Sequence, residues 1–310
     1  MISKKSSSFH IFSGDNNPGI VKKILWLIIN LIINKVSSFY PKDRDLKYDY
    51  FKNLNINILK KIKRDYTPSR KLSDFFWYNL PVNQILKNFE DINILDIGCG
   101  NGNYYYIFKE IFGDKLKSYT GFDRKLRVDD YILNRDNTNF IEDDVKNIKK
   151  YLKNYNLIIS QSFIEHINWD ISFFEDLKYY EELNIPNLQI HLFPSNPCLY
   201  TYLSHGIRHY NLGSVSKISN IYDSLKTKKT LLGFGYNCIN SLHFRELTLK
   251  KIFRSKNLIE EKKLEIYNNK FLEAFQKDMK DCKKNKINNA AFYGFILQTN
   301  LKKEIIFNNK

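Results

Sequence analysis

The spacing of apolar residues along the chain changes near residue 91. Before this point, apolar residues recur at helical spacing and predict helices over 20–36, 47–64 and 72–89. After it, short apolar runs alternate with longer amphipathic stretches, which is typical of βαβ units and a parallel sheet covered on both faces. The predicted strands of this part are Asn93–Ile97, Ser118–Phe122, Asn139–Ile141, Leu157–Ser160 and Leu188–Leu192.

The alternation stops after Pro194 for about fifty residues, which predicts an insertion over the sheet at about 195–245. Regular patterns then return and predict a helix over 247–255, a strand over 258–266, a helix over 270–279 and a last strand over 291–299. We therefore expect three parts in the chain. They are a flexible leader over 1–19, an N-terminal helical extension over 20–90 and an α/β domain over 91–310.

The most apolar segment, ILWLIINLII over 24–33, has lysines on both sides. It is too short to span a bilayer, which needs about 20 apolar residues, and no small-residue cleavage site follows it. We expect a helix packed on the core, in which Asn30 and Asn34 form a thin polar stripe. The alternative is an amphipathic helix in which 22–35 contacts the inner face of a membrane, anchored by Trp26 and the lysines.

The formal net charge of +16 would ordinarily indicate an anionic partner such as nucleic acid. However, the 49 basic residues comprise only nine arginines, and the 40 lysines are spread along the whole chain. Surfaces that read phosphates and bases favour the bidentate guanidinium group of arginine. The composition therefore disfavours a nucleic-acid partner.

Four cysteines, Cys99, Cys198, Cys238 and Cys282, form no CxxC pair and have no spacing with histidine that closes a zinc site. We therefore expect no metal ion. The cysteines are expected to be reduced thiols in a cytoplasmic protein.

The strongest motif is DIGCGNG, which runs from Asp96 to Gly102 directly after a predicted buried strand. Glycines at 98, 100 and 102 allow a tight turn and let a ligand approach the backbone closely. The helix that follows directs its free N–H groups at this ligand, so we expect a nucleotide-like cofactor. The GxGxG spacing differs from the dinucleotide fingerprint GxGxxG, and the Asp96 carboxylate would repel a pyrophosphate.

Acidic residues follow the next two predicted strands. Asp123 comes 21 residues after Gly102, where a carboxylate could accept both hydroxyl hydrogens of a ribose. Asp144 could accept from an adenine amino group, and the N–H of Val145 could serve the ring. The fourth strand leads into SQSFIEH, at Ser160–His166.

This series of motifs resembles the class I methyltransferases that use S-adenosylmethionine, in particular the branch of quinone-biosynthesis and small-molecule methyltransferases. The resemblance covers roughly residues 75–300. It implies a Rossmann-like, seven-stranded, mostly parallel sheet with helices on both faces and an antiparallel last strand. The expected cofactor-binding residues are Asp96, Gly98, Cys99, Gly100, Asn101, Gly102, Asp123, Arg124, Asp144, Val145 and Gln161.

Methyl transfer from a sulfonium is an in-line displacement, so alignment of the acceptor supplies most of the catalysis. A base is needed for a hydroxyl or a protonated amine, and the candidates are His166 and His205. If 199–208 is helical, His205 shares a face with residues that could grip a sugar or a phosphorylated acceptor. The expected acceptor-binding residues are Tyr202, Arg208, His209 and Tyr210.

We therefore expect O-methylation of a small molecule, sugar or lipid-linked intermediate. DNA is disfavoured as the acceptor, because Ser160–Phe163 replaces the Pro-Pro-aromatic motif of methyltransferases that act on base amines. Three alternatives stay open at this point. They are an RNA-directed methyltransferase, a nicotinamide-dependent oxidoreductase and a catalytically silent module that keeps the cofactor pocket.

Overall fold

The computed structural model describes residues 19–51, 56–62, 67–203, 205–249, 261–280 and 287–307. The strands are β1 (Leu46–Tyr50), β2 (Ile92–Ile97), β3 (Leu116–Asp123), β4 (Thr138–Glu142), β5 (Leu157–Gln161), β6 (Asn187–Pro194), β7 (Thr227–Phe234) and β8 (Phe292–Thr299). The α-helices are α1 (Ile20–Ser37), α2 (Ile56–Lys61), α3 (Pro68–Tyr78), α4 (Val82–Leu86), α5 (Tyr104–Phe112), α6 (Asp130–Leu133), α7 (Asp170–Leu177), α8 (Tyr179–Glu182), α9 (Leu212–Ser219), α10 (Asn237–His243) and α11 (Glu261–Lys280).

One eight-stranded sheet has the order β1-β7-β8-β6-β5-β2-β3-β4. All neighbouring strands run parallel except β8, which is antiparallel to both β6 and β7. The prediction of a mostly parallel α/β sheet with an antiparallel last strand is therefore confirmed. Because β2 lies between β3 and β5, the order of strands reverses there, and ligands of such sheets bind outside the carboxyl ends at this point.

The sheet has one strand more than the seven expected, because the N-terminal extension contributes β1. The prediction of a helix over 47–64 was wrong in its first part, where β1 pairs parallel with β7 from Leu46 opposite Lys229. The Phe51 N–H continues this pairing to the Gly233 carbonyl at 3.0 Å. Pairing with an open sheet edge thus overrides the local helical spacing.

Strand β7 lies inside the predicted insertion and was missed by the sequence pattern. Its Lys229 is almost fully buried and forms an ion pair with the equally buried Asp43, with 2.7 Å between Nζ and Oδ2. An inward lysine breaks the apolar alternation by which a strand is recognised. The expected strand over 258–266 was also wrong where it can be checked, because 261–266 belong to α11 and 258–260 lie outside the described residues.

Three other expected helices also differ from the structure. The predicted helix over 72–89 is divided into α3 and α4, which are separated by Pro81. The described residues of 199–208 form turns instead of the helix considered for them. The helix predicted over 247–255 is described only to 249, where a π-helical segment, Phe244–Thr248, continues α10.

Helix α1 packs on the domain with its polar face. Trp26, Asn30, Asn34 and Ser37 are buried, whereas the opposite face exposes apolar side chains. The exposed apolar residues are Ile20, Val21, Ile24, Leu25, Ile28, Leu31, Ile32 and Val36. The expected packing of this helix therefore occurs, but the apolar face expected to be covered is the one in solvent. None of the described helices is both long and apolar enough to cross a membrane.

Candidate active site

The glycine turn follows β2 and is fastened to the neighbouring strand, since Gly98 N–H donates to the Phe122 carbonyl at 2.7 Å. Gly98, Gly100 and Gly102 have φ values of +80°, +58° and +72°, a region that side chains disfavour. A Cβ on Gly98 would lie 2.3 Å from the Phe163 ring, whereas no described atom lies within 4 Å of a Cβ on Gly100. The turn is therefore open to a ligand at Gly100.

Asp96 lies below this turn and is 1% exposed. Its Oδ2 accepts a hydrogen bond from the Tyr119 hydroxyl, and its Oδ1 has no hydrogen-bond partner among the described residues. Burial raises the pKa of Asp96 to about 7; the Tyr119 hydrogen bond opposes this increase and the Asp123 charge adds to it. A buried carboxylate oxygen with unused acceptor capacity suits the ammonium group of an amino-acid moiety.

Asp123, at the end of β3, braces the glycine turn. Its Oδ2 accepts from the Gly100 N–H at 2.9 Å, and its Oδ1 accepts from the Lys125 N–H at 3.1 Å. Each carboxylate oxygen can accept a second hydrogen bond, so these contacts leave capacity for ribose hydroxyls. Arg124, the neighbouring residue, is exposed.

The other expected cofactor residues lie along the same edge of the sheet. Asp144 caps the 3-10 helix that follows β4 and accepts from the Lys146 N–H at 3.1 Å. Gln161, at the end of β5, donates to the Ser73 hydroxyl at 2.8 Å and accepts from Trp77 Nε1 at 3.3 Å. Helix α3 of the N-terminal extension is thereby fixed over the carboxyl ends of the strands, which the sequence pattern did not reveal.

The remaining residues of the turn differ in exposure. Cys99 is buried, and its burial raises the pKa of the thiol far above its usual range. Asn101 is exposed and accepts from the Asn103 N–H at 3.4 Å. Cys99, Cys198 and Cys238 are free thiols, and Cys282 lies outside the described residues.

Two histidines meet where the insertion after β6 contacts the loop after β5. His166 ends a short 3-10 helix, and its ring lies 4.8 Å from the ring of His205, at an interplanar angle of 89°. Nε2 of His205 lies 3.8 Å from Oε1 of the fully buried Glu165. The fold therefore places a carboxylate and two imidazoles, which are 39 residues apart in sequence, in one cluster. Phe163, in the loop that carries Glu165 and His166, packs against Gly98 of the glycine turn.

The expected acceptor residues separate into two groups. Tyr202 is half-buried and packs its ring on His205, at 5.8 Å between centroids. Arg208 instead forms an ion pair with Asp170, with 2.9 Å between NH1 and Oδ2. His209 and Tyr210 are buried at 2% and 0% exposure, so both lie beneath the surface that an acceptor would touch. This burial favours a packing role for both residues, and their expected contact with the acceptor stays a prediction.

Burial also determines the protonation state of His209 and the hydrogen bonding of Tyr210. It lowers the pKa of His209 to about 4, so this imidazole is neutral, and its ring packs on Trp26 at 5.6 Å. The Tyr210 hydroxyl donates to the Ile164 carbonyl at 3.0 Å and lies 3.1 Å from Asp170 Oδ2. Asp170 thus joins the insertion to α7, a role that no local motif in the sequence indicates.

A model of a known protein family matches part of this chain. Residues 64–178 match the family model described as a methyltransferase domain. The matched segment includes the glycine turn, strands β2 to β5 and the Glu165–His166 loop. A sequence search finds no match among proteins of curated function.

Solved structures give weaker likenesses. The plantazolicin methyltransferase BamL, in complex with a triazolic desmethylPZN analogue and SAH, is 13% identical with a TM-score of 0.46, covering 79% of this chain and 89% of that chain. The plantazolicin methyltransferase BpumL with SAH is 15% identical with a TM-score of 0.43, covering 79% and 90%. A SAM-dependent methyltransferase from Archaeoglobus fulgidus is 16% identical with a TM-score of 0.42, covering 70% and 91%.

The family match and the open glycine turn agree with one another. The glycine turn lies within residues 64–178, the segment that matches a methyltransferase domain. Gly100, Asp96 Oδ1 and Asp123 are the groups that fit the cofactor best, because they combine open space, an unused acceptor and a braced carboxylate.

Proposed function

We propose that the chain is an S-adenosylmethionine-dependent methyltransferase that methylates an oxygen atom of a small molecule, a sugar or a lipid-linked intermediate. The observation that carries the proposal is the pair of imidazoles, His166 and His205, beside the strand that adjoins the glycine turn. A hydroxyl acceptor must lose a proton as its oxygen is methylated, and a positioned imidazole contributes about 10²- to 10⁴-fold to such a step. Membership of the branch of quinone-biosynthesis and small-molecule methyltransferases is part of this proposal.

In this proposal, residues of the chain deprotonate the acceptor and stabilise the charge that results. The bound cofactor supplies the methyl group for in-line displacement. His205, whose side chain is 38% exposed, meets the incoming acceptor and takes the hydroxyl proton. Glu165, adjacent to His205 Nε2, stabilises the resulting imidazolium by its charge. Tyr202 packs on His205 and fixes the orientation of its ring.

A transfer assay tests the proposal. Wild-type protein is incubated with methyl-labelled S-adenosylmethionine and separate pools of lipid, polysaccharide, small molecules and RNA. We expect label in the lipid, polysaccharide or small-molecule pool, as a methyl ether or ester, and a loss of at least about 100-fold in His205→Gln. Label confined to RNA, or an N-methyl product, would contradict the proposal, as would full turnover by both His205→Gln and His166→Gln.

We also propose that α1 rests on an anionic membrane surface on the cytoplasmic side. The exposed face of α1 is continuously apolar, and Phe39 beyond its end is 77% exposed. Lysines at 22 and 35 flank this face and complement anionic headgroups. The free thiols of the domain favour a reducing compartment. Trp26 does not act as the anchor named in the alternative of the sequence analysis, because it is 2% exposed and donates to the Gly206 carbonyl at 2.9 Å.

Vesicle binding tests this contact. Wild type should co-sediment with vesicles of phosphatidylcholine and phosphatidylglycerol, and more weakly with vesicles of phosphatidylcholine alone. The triple variant Ile24→Ser, Ile28→Ser, Ile32→Ser should lose at least about 100-fold in partitioning, since each buried side chain contributes about 1.5–3 kcal/mol.

The matched control removes three exposed apolar side chains elsewhere, in Leu183→Ser, Leu225→Ser and Ile306→Ser. This control should bind vesicles like wild type. Failure of wild type to bind would contradict the membrane contact. A wild-type dimer that the α1 triple variant dissociates would show that the face is an interface between copies of the chain.

A further inference from the structure

We propose that Glu165, His166 and His205 bind a divalent transition-metal ion. One ligand atom from each side chain lies within 4.8 Å of the others. No local motif indicates that these residues form a set, because His205 is separated from the Glu165–His166 pair by 39 residues and by β6. The set therefore arises only from the fold.

The three ligand atoms are slightly farther apart than they would be around a bound ion. Zinc-bound nitrogen and oxygen atoms lie about 2.0–2.2 Å from the ion, so two ligand atoms of a tetrahedral centre are about 3.5 Å apart. Glu165 Oε1 and His205 Nε2 are already 3.8 Å apart. The largest separation in the set, at most 4.8 Å, exceeds this spacing by about 1.3 Å, which movements of about 1 Å at the side-chain ends would close.

The backbone holds the set in place. The Glu165 carbonyl accepts from the Ile207 N–H, at 2.6 Å, so the segment that carries His205 is bound directly to the segment that carries Glu165. Gly206 between them has a φ of +70°, and a Cβ there would lie 2.9 Å from the Glu165 Cγ. Trp26 of α1 fixes the Gly206 carbonyl from the other side. Such support is what positions metal ligands in a folded protein.

The donor set indicates the class of ion. Two imidazoles and one carboxylate suit Zn²⁺, Fe²⁺, Co²⁺ or Mn²⁺, whereas Ca²⁺ and Mg²⁺ prefer oxygen ligands. Three protein ligands leave positions open on such an ion, and the set can be reached from solvent on the side of His205, which is 38% exposed.

The chemical role of the ion rests on the proposed function. A hydroxyl acceptor bound at an open position would lose its proton more readily, because a metal ion lowers the pKa of a bound hydroxyl. In that case the two imidazoles act as ligands, and the ion replaces His205 in activating the acceptor.

Metal binding to the full chain tests the inference without any acceptor. After removal of metal with a chelator, Zn²⁺, Mn²⁺ and Co²⁺ are each titrated alone into the protein, with heat and the visible absorption of Co²⁺ as readouts. We expect one ion per chain, and dissociation constants raised at least about tenfold in His205→Gln and in His166→Gln. The matched control is His243→Gln, which removes an imidazole outside the set and should bind like wild type.

Three results would overturn the inference: no stoichiometric binding of any of the three ions, binding that both His205→Gln and His166→Gln retain, or equal loss in His243→Gln. Thermal unfolding of each variant identifies any that fails to fold, and the partly exposed His205 is the substitution that the fold tolerates best. Metal binding without methyl transfer would retain this site and remove the proposed O-methylation. Transfer that a chelator leaves unchanged would retain the proposed O-methylation and exclude a role of the ion in that transfer.

Discussion

Replacing Gly100 with alanine should weaken binding of S-adenosylmethionine and S-adenosylhomocysteine by about 10- to 200-fold, the usual effect of one methyl group in a close-fitting site. No described atom approaches a Cβ at this position, so the added methyl meets only the ligand. Its second effect is on the backbone, because a φ of +58° costs alanine about 1–2 kcal/mol. Isothermal titration measures the affinity, and urea unfolding of the cofactor-free protein measures the stability.

Gly113 supplies the matched control for this prediction. Its φ is +56°, and a Cβ there also meets no described atom, but it ends α5 away from the carboxyl edge of the sheet. Because its ψ is −128°, Gly113→Ala should lose at least as much stability as Gly100→Ala, and it should keep the cofactor affinity of wild type. Equal affinities in Gly100→Ala and wild type would place the cofactor elsewhere, and equal losses in both variants would attribute the effect to folding.

Replacing Asn30 with leucine should destabilise the protein by about 2–3 kcal/mol, although the change adds apolar surface to a helix. Asn30 is fully buried; its Nδ2 donates to the Ile207 carbonyl at 3.2 Å, and its Oδ1 accepts from the His209 N–H at 3.3 Å. Leucine leaves both backbone groups buried without these partners, at about 1–3 kcal/mol for each lost partner. The free energy of unfolding in urea, without cofactor or lipid, is the measurement.

The control for Asn30→Leu lies on the opposite face of the same helix. Ile32 is 58% exposed, so Ile32→Ser should change the free energy of unfolding by no more than about 0.5 kcal/mol. A helix packed through its apolar face would give the reverse order, with Ile32→Ser the more damaging change. That order, or an Asn30→Leu protein as stable as wild type, would refute the orientation of α1.

The central part of the fold could be predicted because its signals are local. The five strands expected between Asn93 and Leu192 fall within β2 to β6, since buried parallel strands are short apolar runs separated by amphipathic helices. The glycine turn was equally visible, because GxGxG after a strand requires a backbone that glycine alone adopts easily. Asp123 also lies beside this turn, although in the structure it braces Gly100 directly.

The parts that could not be predicted depend on partners distant in sequence. Strand β7 is hidden because Lys229 points inward to Asp43, which is 186 residues earlier. The buried role of Asn30 depends on backbone groups at 207 and 209, and without them an apolar helix is expected to bury its isoleucines. The cluster of Glu165, His166 and His205 likewise exists only once the insertion folds back onto the loop after β5.

The polar contacts of α1 bear on how a more soluble form of the protein should be made. Truncation before Ser38 would remove the exposed apolar face of α1. It would also remove Trp26 and Asn30, which donate hydrogen bonds to the carbonyls of Gly206 and Ile207. The segment that positions His205 would then lose two of the hydrogen bonds that keep it in place. Substituting serine or lysine on the exposed face of α1 leaves the Trp26 and Asn30 hydrogen bonds in place. A protein changed in this way should therefore keep an activity that the truncated protein loses.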